Sequence, residues 1–213
     1  EELQRKSLEI NRKFGCLEGQ ASALGNLGMI AQTRGDLNTA ENLFRESLEI
    51  SFKLSRREGQ ANQLGNLGAI AYARCDLNTA EKLCHESLEI NRKIGRLEGQ
   101  ANQLGNLGLF ARSRGDLVNA EKYHREALEI ERKLGRLEGQ SNQLGNLAIV
   151  TQILGKSDSA EELCNEALEI DRKLGRLEGQ ANQLGNLGVI ARTRGDLDDA
   201  EKFHREALEI DRK

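Results

Sequence analysis

The fold is decided by residues 97–136, which read LEGQANQLGNLGLFARSRGDLVNAEKYHREALEIERKLGR. Shifted by 40 residues, this segment superposes on the rest of the chain without a gap. Its opening Leu-Glu-Gly-Gln returns at residues 17, 137 and 177, and at residue 57 with Arg in place of Leu. A fixed period of about 20 to 50 residues is the signature of a stacked array of small structural units. We therefore predict one array over residues 1–213, divided into a half repeat at 1–16 and full repeats at 17–56, 57–96, 97–136, 137–176 and 177–213.

The glycines divide each repeat into two helices. All 22 fall in five registers of the repeat. In the quoted repeat Gly115 follows the first apolar periodic run and Gly135 follows the second, as expected for left-handed residues that end helices. Ser55 and Cys75 stand where other repeats have these glycines, so strained turns are expected there.

Three further glycine registers, represented by Gly19, Gly25 and Gly28, lie near the start of the first helix or inside it. An interior glycine costs about 1 kcal/mol relative to alanine, so a repeated one needs a compensating contact. For the Gly28 register we predict close approach of one helix backbone to another. The second helix is amphipathic, and an aspartate precedes it as a predicted N-cap in four repeats: Asp36, Asp76, Asp116 and Asp196.

The repeat resembles the tetratricopeptide repeat. The resemblance rests on Leu184-Gly185-Asn186-Leu187-Gly188, then Gly195-Asp196-Leu197, Ala200, Phe203-His204 and Ala207-Leu208, and it holds in all five repeats. It implies an all-α, right-handed superhelical solenoid of antiparallel helix hairpins. The unit is 40 residues long rather than the usual 34, and it lacks the proline that usually ends the second helix. In both respects it is similar to the long-repeat type of kinesin light chains and Gα-regulating polarity adaptors.

Composition argues against several classes of function. The 34 acidic and 31 basic residues are closely mixed, for a net charge of −3, whereas nucleic-acid binders usually carry a clustered basic excess. No apolar run is long enough to cross a bilayer, and the first residues do not resemble a signal peptide. The four cysteines match no metal or redox spacing, so we interpret them as reduced, structural residues of a cytoplasmic protein.

No arrangement of residues predicts an enzyme or a cofactor. His124 and His204 share a register with Phe44, which is an expected packing position between helices. Gly155-Lys156-Ser157 resembles the end of a phosphate-binding loop, but no glycine stands five residues earlier and no strand precedes it. The carboxylates repeat on the outer face instead of converging in a pocket. We therefore predict no catalytic residue, no metal and no cofactor.

The resemblance implies that the first helices line the concave side of the array, where a peptide would bind. The candidate peptide-binding residues on this side are Asn26, Asn62, Asn66, Tyr72, Asn102, Asn106, Leu109, Arg112, Asn142, Asn146, Gln152, Asn182, Asn186 and Arg192. An asparagine amide both donates and accepts, which matches the alternating groups of a peptide backbone. In long-repeat relatives similar asparagines hold the main chain of a peptide, and we expect glycines in the Gly25 register to open space beside them.

Two alternatives stay open for these positions. The asparagines either bind a ligand or bond neighbouring helices and lock the stacking. The register of Met29, Ala69, Leu109, Ile149 and Val189 varies among repeats, either because it selects a ligand or because exposed positions drift. Arg112 and Arg192, together with the rim arginines at positions 34, 74, 114 and 194, would favour an acidic ligand segment or a C-terminal carboxylate.

The leading hypothesis is a scaffold that binds an extended peptide or partner segment in its groove. The alternative is a sensor or assembly module of a larger signalling protein, acting through end-to-end or interdomain packing. Uncapped ends of an array expose core surface, so self-association through those ends is also expected. We predict a protein or peptide partner, and neither a nucleic acid nor a membrane.

Overall fold

The computed structural model describes residues 1–212, and these form eleven α-helices and no strand. The predicted all-α class is therefore confirmed. The chain divides into two compact units, one of residues 1–110 and one that begins at Ala111.

The first unit is a stack of helical hairpins. Its helices are α1 (Glu2–Lys13), α2 (Leu17–Thr33), α3 (Leu37–Lys53), α4 (Arg57–Ala73), α5 (Leu77–Lys93) and α6 (Leu97–Ser113), the last of which runs past Phe110. Helices α2 and α3 form one hairpin and α4 and α5 the next, while α1 packs on α2 and α3 packs on α4. Leu8, Leu24 and Ile50 join successive helices in one buried cluster. Each hairpin thus buries its apolar face on its neighbour.

The second unit repeats the same packing. Its helices are α7 (Leu117–Leu134), α8 (Leu137–Ile153), α9 (Ser157–Leu174), α10 (Leu177–Arg194) and α11 (Leu197–Asp211). Helices α8 and α9 pair, as do α10 and α11, and α7 and α9 pack on the first helix of the following hairpin. Leu128, Leu144 and Ile170 lie in one buried cluster of this unit.

The turns and three of the four predicted aspartate caps follow the sequence pattern, whereas Asp196 precedes α11 without a side-chain capping bond. Eight glycines at helix ends adopt positive φ, and Ser55 and Cys75 do the same with φ of 54° and 62°. Both residues therefore lie in the left-handed region, where side chains are disfavoured and strain is expected. Three aspartates cap the second helix of their hairpin, because each carboxylate accepts a hydrogen bond from the backbone N–H three residues later. They are Asp36, Asp76 and Asp116. The bonds from Thr39 lower the pKa of Asp36 below its ordinary value.

The Gly28 register makes room for a side chain. A Cβ added at Gly28 would lie 2.5 Å from a ring carbon of Phe44, and one at Gly188 would lie 2.6 Å from the His204 ring. At Gly68 the nearest atom is the sulfur of Cys84, at 2.7 Å. The close approach predicted from sequence exists, but the second helix of the same hairpin contributes mainly a side chain to it rather than backbone.

The Glu-Gly-Gln motif joins one hairpin to the next. A Cβ at Gly99 would lie 2.1 Å from the side-chain oxygen of Asn91, so only glycine lets the two helices approach there. Gln100 then donates to the Asn91 carbonyl at 3.3 Å. Equivalent bonds are made by Gln20, Gln60, Gln140 and Gln180. A motif that is identical in all five repeats therefore supplies a contact between successive hairpins.

Candidate functional site

A polar groove lies on the first unit and contains several of the predicted peptide-binding residues. It encloses about 620 Å³, and its walls include Asn26, Asn62, Asn66 and Asn102. These amides come from α2, α4 and α6, so successive first helices each contribute to the wall. Most of the remaining wall consists of small or polar residues, with Met29 as the one large apolar side chain. Such a surface can offer hydrogen bonds to an extended chain along its length.

The side chain of Asn62 is held by the last residue of its own repeat. Its Oδ1 accepts a hydrogen bond at 2.5 Å from Arg96, which precedes α6. Arg96 also lies 3.6 Å from the Glu58 carboxylate. Because the oxygen of the amide is engaged, its two N–H donors are the groups that Asn62 can offer to a ligand. Arg96 therefore fixes the orientation of one groove amide.

Other groove amides also have partners within the fold. Asn66 donates to Gln63 one turn earlier on the same helix, at 3.3 Å, and Asn26 donates to Gln4 at 3.4 Å. Asn106, which is partly buried on α6, hydrogen-bonds the buried thiol of Cys84. Burial raises the pKa of that thiol to about 12, and the bond from Asn106 opposes the rise. Two of these three bonds, those of Asn26 and Asn106, join neighbouring helices, whereas that of Asn66 lies within α4.

A glutamine register that the sequence analysis did not single out lies beside these asparagines. Gln63, Gln103 and Gln183 are buried, and each covers a glycine of the preceding first helix. A Cβ at Gly25 would lie 3.1 Å from Gln63, and one at Gly65 would lie 2.6 Å from Gln103. At Gly25, Gly65 and Gly145 a glutamine occupies the space that was expected to be open for a ligand. At Gly185 the space is open among the described residues. Recurrence of Gln two residues before each later glycine was the available signal.

In the second unit, Asn142 joins a buried polar network. Arg176 donates to Asn142 Oδ1 at 3.2 Å and to Asp171 at 3.0 Å. The Asp171 carboxylate is fully buried and also accepts from the Ser141 hydroxyl at 2.6 Å. Asn142 is thus oriented by the arginine that ends its own repeat, as Asn62 is in the first unit.

The other predicted residues are distributed along the first helices. The ring of Tyr72 stacks on that of Phe110, with ring centroids 4.7 Å apart. Leu109, which directly precedes Phe110, is partly buried. In the second unit Asn186 donates to Gln183 at 3.4 Å. The side chains of Asn182 and Arg192 are exposed. Three further predicted residues are partly buried: Asn146, Gln152 and Arg112.

Arg112 lies near the buried side chain of His124, and its positive charge affects the pKa of that histidine. Nδ1 of His124 donates to Gln143 at 2.8 Å, and the ring is fully buried. Burial lowers the pKa of His124, and the nearby positive charge of Arg112 lowers it further. The histidine is therefore neutral in the fold, which agrees with its predicted role in packing.

The rim arginines are neutralised by the fold. Arg34 pairs with Glu1, and Arg74 pairs with Glu41. Arg194 pairs with Glu161 and also lies 2.6 Å from Asp158. Glu41, Asp158 and Glu161 belong to the preceding second helix, and Glu1 directly precedes α1. The predicted preference for an acidic ligand loses its support at these three positions.

A family model of the tetratricopeptide repeat matches residues 60–133 and 140–213, and a second model of the same repeat matches residues 20–51. The chain belongs to the tetratricopeptide repeat family. The resemblance inferred from the repeated Leu-Gly and Gly-Asp motifs is thereby confirmed. No curated protein matches the chain.

Solved tetratricopeptide repeat structures share the fold at low sequence identity. BtubC (BKLC) from P. vanneervenii superposes with a TM-score of 0.84 at 22% identity, over 97% of this chain and 87% of that one. Nearly identical TPR-like repeats assigned to a kinesin light chain of Podosopora anserina give 0.70 at 20% identity, over 89% and 94%. A Rap protein complexed with competence and sporulation factor gives 0.79 at 14% identity, over 90% of this chain and 54% of that one. At these identities the likeness establishes the fold alone.

Residues 1–212 lack two further features. None of the helices there is long and apolar enough to cross a membrane. No group of three or more His, Cys, Asp or Glu side chains in that range could hold a metal ion.

Proposed function

We propose that this tetratricopeptide repeat chain is a protein-interaction scaffold that binds an extended peptide or partner segment in the groove of its first unit. The observation that carries the proposal is the row of amides along that groove, in which Arg96 holds Asn62 by its oxygen. An amide held in this way presents N–H donors, and the carbonyl groups of an extended ligand are suitable acceptors. The solved Rap complex, whose fold is similar, supports a peptide or protein partner for this fold.

The alternative explanation, in which the amides only lock the stacking, makes an opposite prediction for stability. The double variant Asn66→Ala with Asn102→Ala removes two groove amides. Because alanine has a higher helix propensity than asparagine, each substitution should by itself stabilise its helix by up to about 0.7 kcal/mol. If the amides serve a ligand, the midpoint of thermal unfolding stays the same or rises. If they hold the stack together, the midpoint falls.

The test begins with selection of peptides from a random display library by binding to the unmodified chain. The selected peptides are the probes. We expect the double variant to bind the selected peptides about tenfold more weakly, since each lost hydrogen bond contributes roughly 0.5–1.5 kcal/mol. Asn42→Ala is the matched control, because Asn42 is exposed on α3 and does not line the groove. Peptides whose affinity is unchanged by the double variant would contradict binding in this groove.

A second candidate function is self-association through α1. Leu3, Ile10 and Phe14 lie on one face of that helix and are exposed, Leu3 by 81% and Phe14 by 76%. We propose that a second copy of the chain covers this face. Sedimentation should show dimers that Leu3→Glu with Phe14→Glu dissociates, whereas a monomer at every concentration would exclude the idea.

We also propose a cytoplasmic location. The four cysteines are free thiols, and two of them, Cys84 and Cys164, are buried. Free thiols are typical of reducing compartments. Fractionation of cells that express the tagged chain would test this location.

A further inference from the structure

A row of apolar residues runs beside the amides of the first unit. Met29, Ala69 and Leu109 follow Asn26, Asn66 and Asn106 by three residues, so each lies next to an amide on the surface of its helix. Met29 is 50% exposed and lines the groove, while Ala69 and Leu109 are partly buried. Each first helix therefore offers one amide and one apolar side chain to the same side.

The middle position of this row carries the smallest side chain, which would leave a hollow between its two larger neighbours. Ala69 carries a single methyl group, whereas Met29 and Leu109 carry side chains of four heavy atoms. One turn after Ala69, the ring of Tyr72 stacks on buried Phe110 with centroids 4.7 Å apart and planes at 28°. The stacking fixes the ring, so the hollow is bordered by a rigid aromatic surface. Such a surface favours a large apolar group on a ligand.

The spacing of the row selects one ligand conformation. Helix α2 contacts α4, and Gln103 of α6 covers Gly65 of α4, so the three first helices pack side by side. Because packed helices lie about 8–10 Å apart, successive residues of the row should be separated by about that distance. A polyproline II segment advances about 3.1 Å per residue and returns every third side chain to the same face, after about 9 Å. In a β-strand the same face recurs after about 6.7 Å, which does not match. Polyproline II also leaves its carbonyl groups without internal partners, so the amides can bond them.

The charges at the edge of the groove favour an uncharged ligand. Arg56 pairs with Glu18, and Arg96 lies 3.6 Å from Glu58. The basic side chains near the groove are therefore already balanced by carboxylates. A charged ligand would gain little there from surface pairs that are screened and weak.

We propose that the groove of the first unit selects uncharged polyproline II segments with an apolar residue at every third position, the largest seated at Ala69 beside Tyr72. This inference rests on the proposed peptide-binding function and adds the conformation and the side-chain pattern of the ligand. Small ligand residues would face Met29 and Leu109, and a large one would face the hollow between them.

The first experiment compares three fluorescein-labelled seven-residue peptides on the unmodified chain by anisotropy. They are Ala-Pro-Pro-Leu-Pro-Pro-Ala, its shuffled form Ala-Leu-Pro-Pro-Ala-Pro-Pro, and Ala-Gly-Gly-Leu-Gly-Gly-Ala, which lacks the polyproline II preference. We expect the first to bind at least tenfold more tightly than the other two. Equal affinity for all three, or no binding of the first, would overturn the inference.

The second experiment fills the hollow. Ala69→Met should weaken binding of the leucine-centred peptide about tenfold and reverse the preference toward Ala-Pro-Pro-Ala-Pro-Pro-Ala. Val189→Met is the matched control, since it introduces the same side chain at the same register of the second unit, where Val189 is 40% exposed. Circular dichroism verifies folding, and the peptide comparison on the unmodified chain decides the question if the variant does not fold.

Failure of this inference is distinguishable from failure of the proposed function. Display-selected peptides that depend on Asn66 and Asn102 but show no three-residue period would overturn the ligand pattern and leave the peptide-binding function in place. Selected peptides that are indifferent to both amides would overturn the two proposals together.

Discussion

Replacing glycine by alanine within one register should stabilise the chain at one position and destabilise it at another. A Cβ at Gly185 would meet nothing within 4 Å among residues 1–212, so Gly185→Ala should gain the full helix preference of about 1 kcal/mol. At Gly145 the new atom would lie 2.9 Å from the amide of Gln183, and at Gly65 it would lie 2.6 Å from that of Gln103. Overpacking costs about 1–3 kcal/mol. The expected net change is therefore about zero at Gly145 and a loss of about 1 kcal/mol at Gly65.

Equilibrium unfolding in urea, followed by far-ultraviolet circular dichroism, measures these changes. Gly145 and Gly185 form the stricter comparison, because both lie in the second unit and on first helices of the same type. An unchanged slope with denaturant is required, since a changed slope would indicate a change in cooperativity rather than in stability. If Gly185→Ala were no more stable than Gly145→Ala, contact with the following glutamine would not be the reason for glycine in this register.

Three further predictions concern single registers. Ser55→Gly and Cys75→Gly should each stabilise the chain by about 0.5–1 kcal/mol in thermal unfolding, because they relieve positive φ at a helix end; unchanged stability would show that these turns are not strained. Wild type should lose stability relative to His124→Cys as the pH falls from about 7 toward 5. Burial lowers the pKa of His124 in the folded chain, so below the ordinary histidine pKa of about 6.5 only the unfolded chain takes up the proton. Parallel pH profiles of the two proteins in urea titrations would contradict this. Iodoacetamide should label Cys75 rapidly and Cys84 and Cys164 only on unfolding, as mass spectrometry can show, because burial raises the pKa of the latter two to about 12.

The sequence predicted the hairpins because local patterns determine them. Gly115 and Gly135 mark helix ends through backbone freedom, and Asp36 and Asp76 mark helix starts through capping. The same local rule identified the positive φ of Cys75, where a side chain occupies a glycine position. Predictions of this kind need only the residues within one or two turns.

Contacts between repeats were harder to predict because their partners lie more than thirty residues apart. The sequence shows where a Cβ is missing at Gly65 but not that Gln103 fills the space. It shows Arg74 near a turn but not that Glu41 neutralises it. In both examples the answer depends on how one hairpin packs on the next, which a repeat pattern leaves undetermined.

The groove combines two kinds of position, and their contacts indicate different roles. The asparagine register is the same in every repeat, and Asn66 and Asn106 bond Gln63 and Cys84 within the fold. Identity there is explained by stacking as well as by binding to a backbone, which is common to all peptides. The register of Met29 and Ala69 changes from repeat to repeat and is partly or half exposed. Side-chain selectivity can arise only where the wall differs along its length. Under the proposed function we therefore expect the apolar register to set selectivity and the amides to set general affinity.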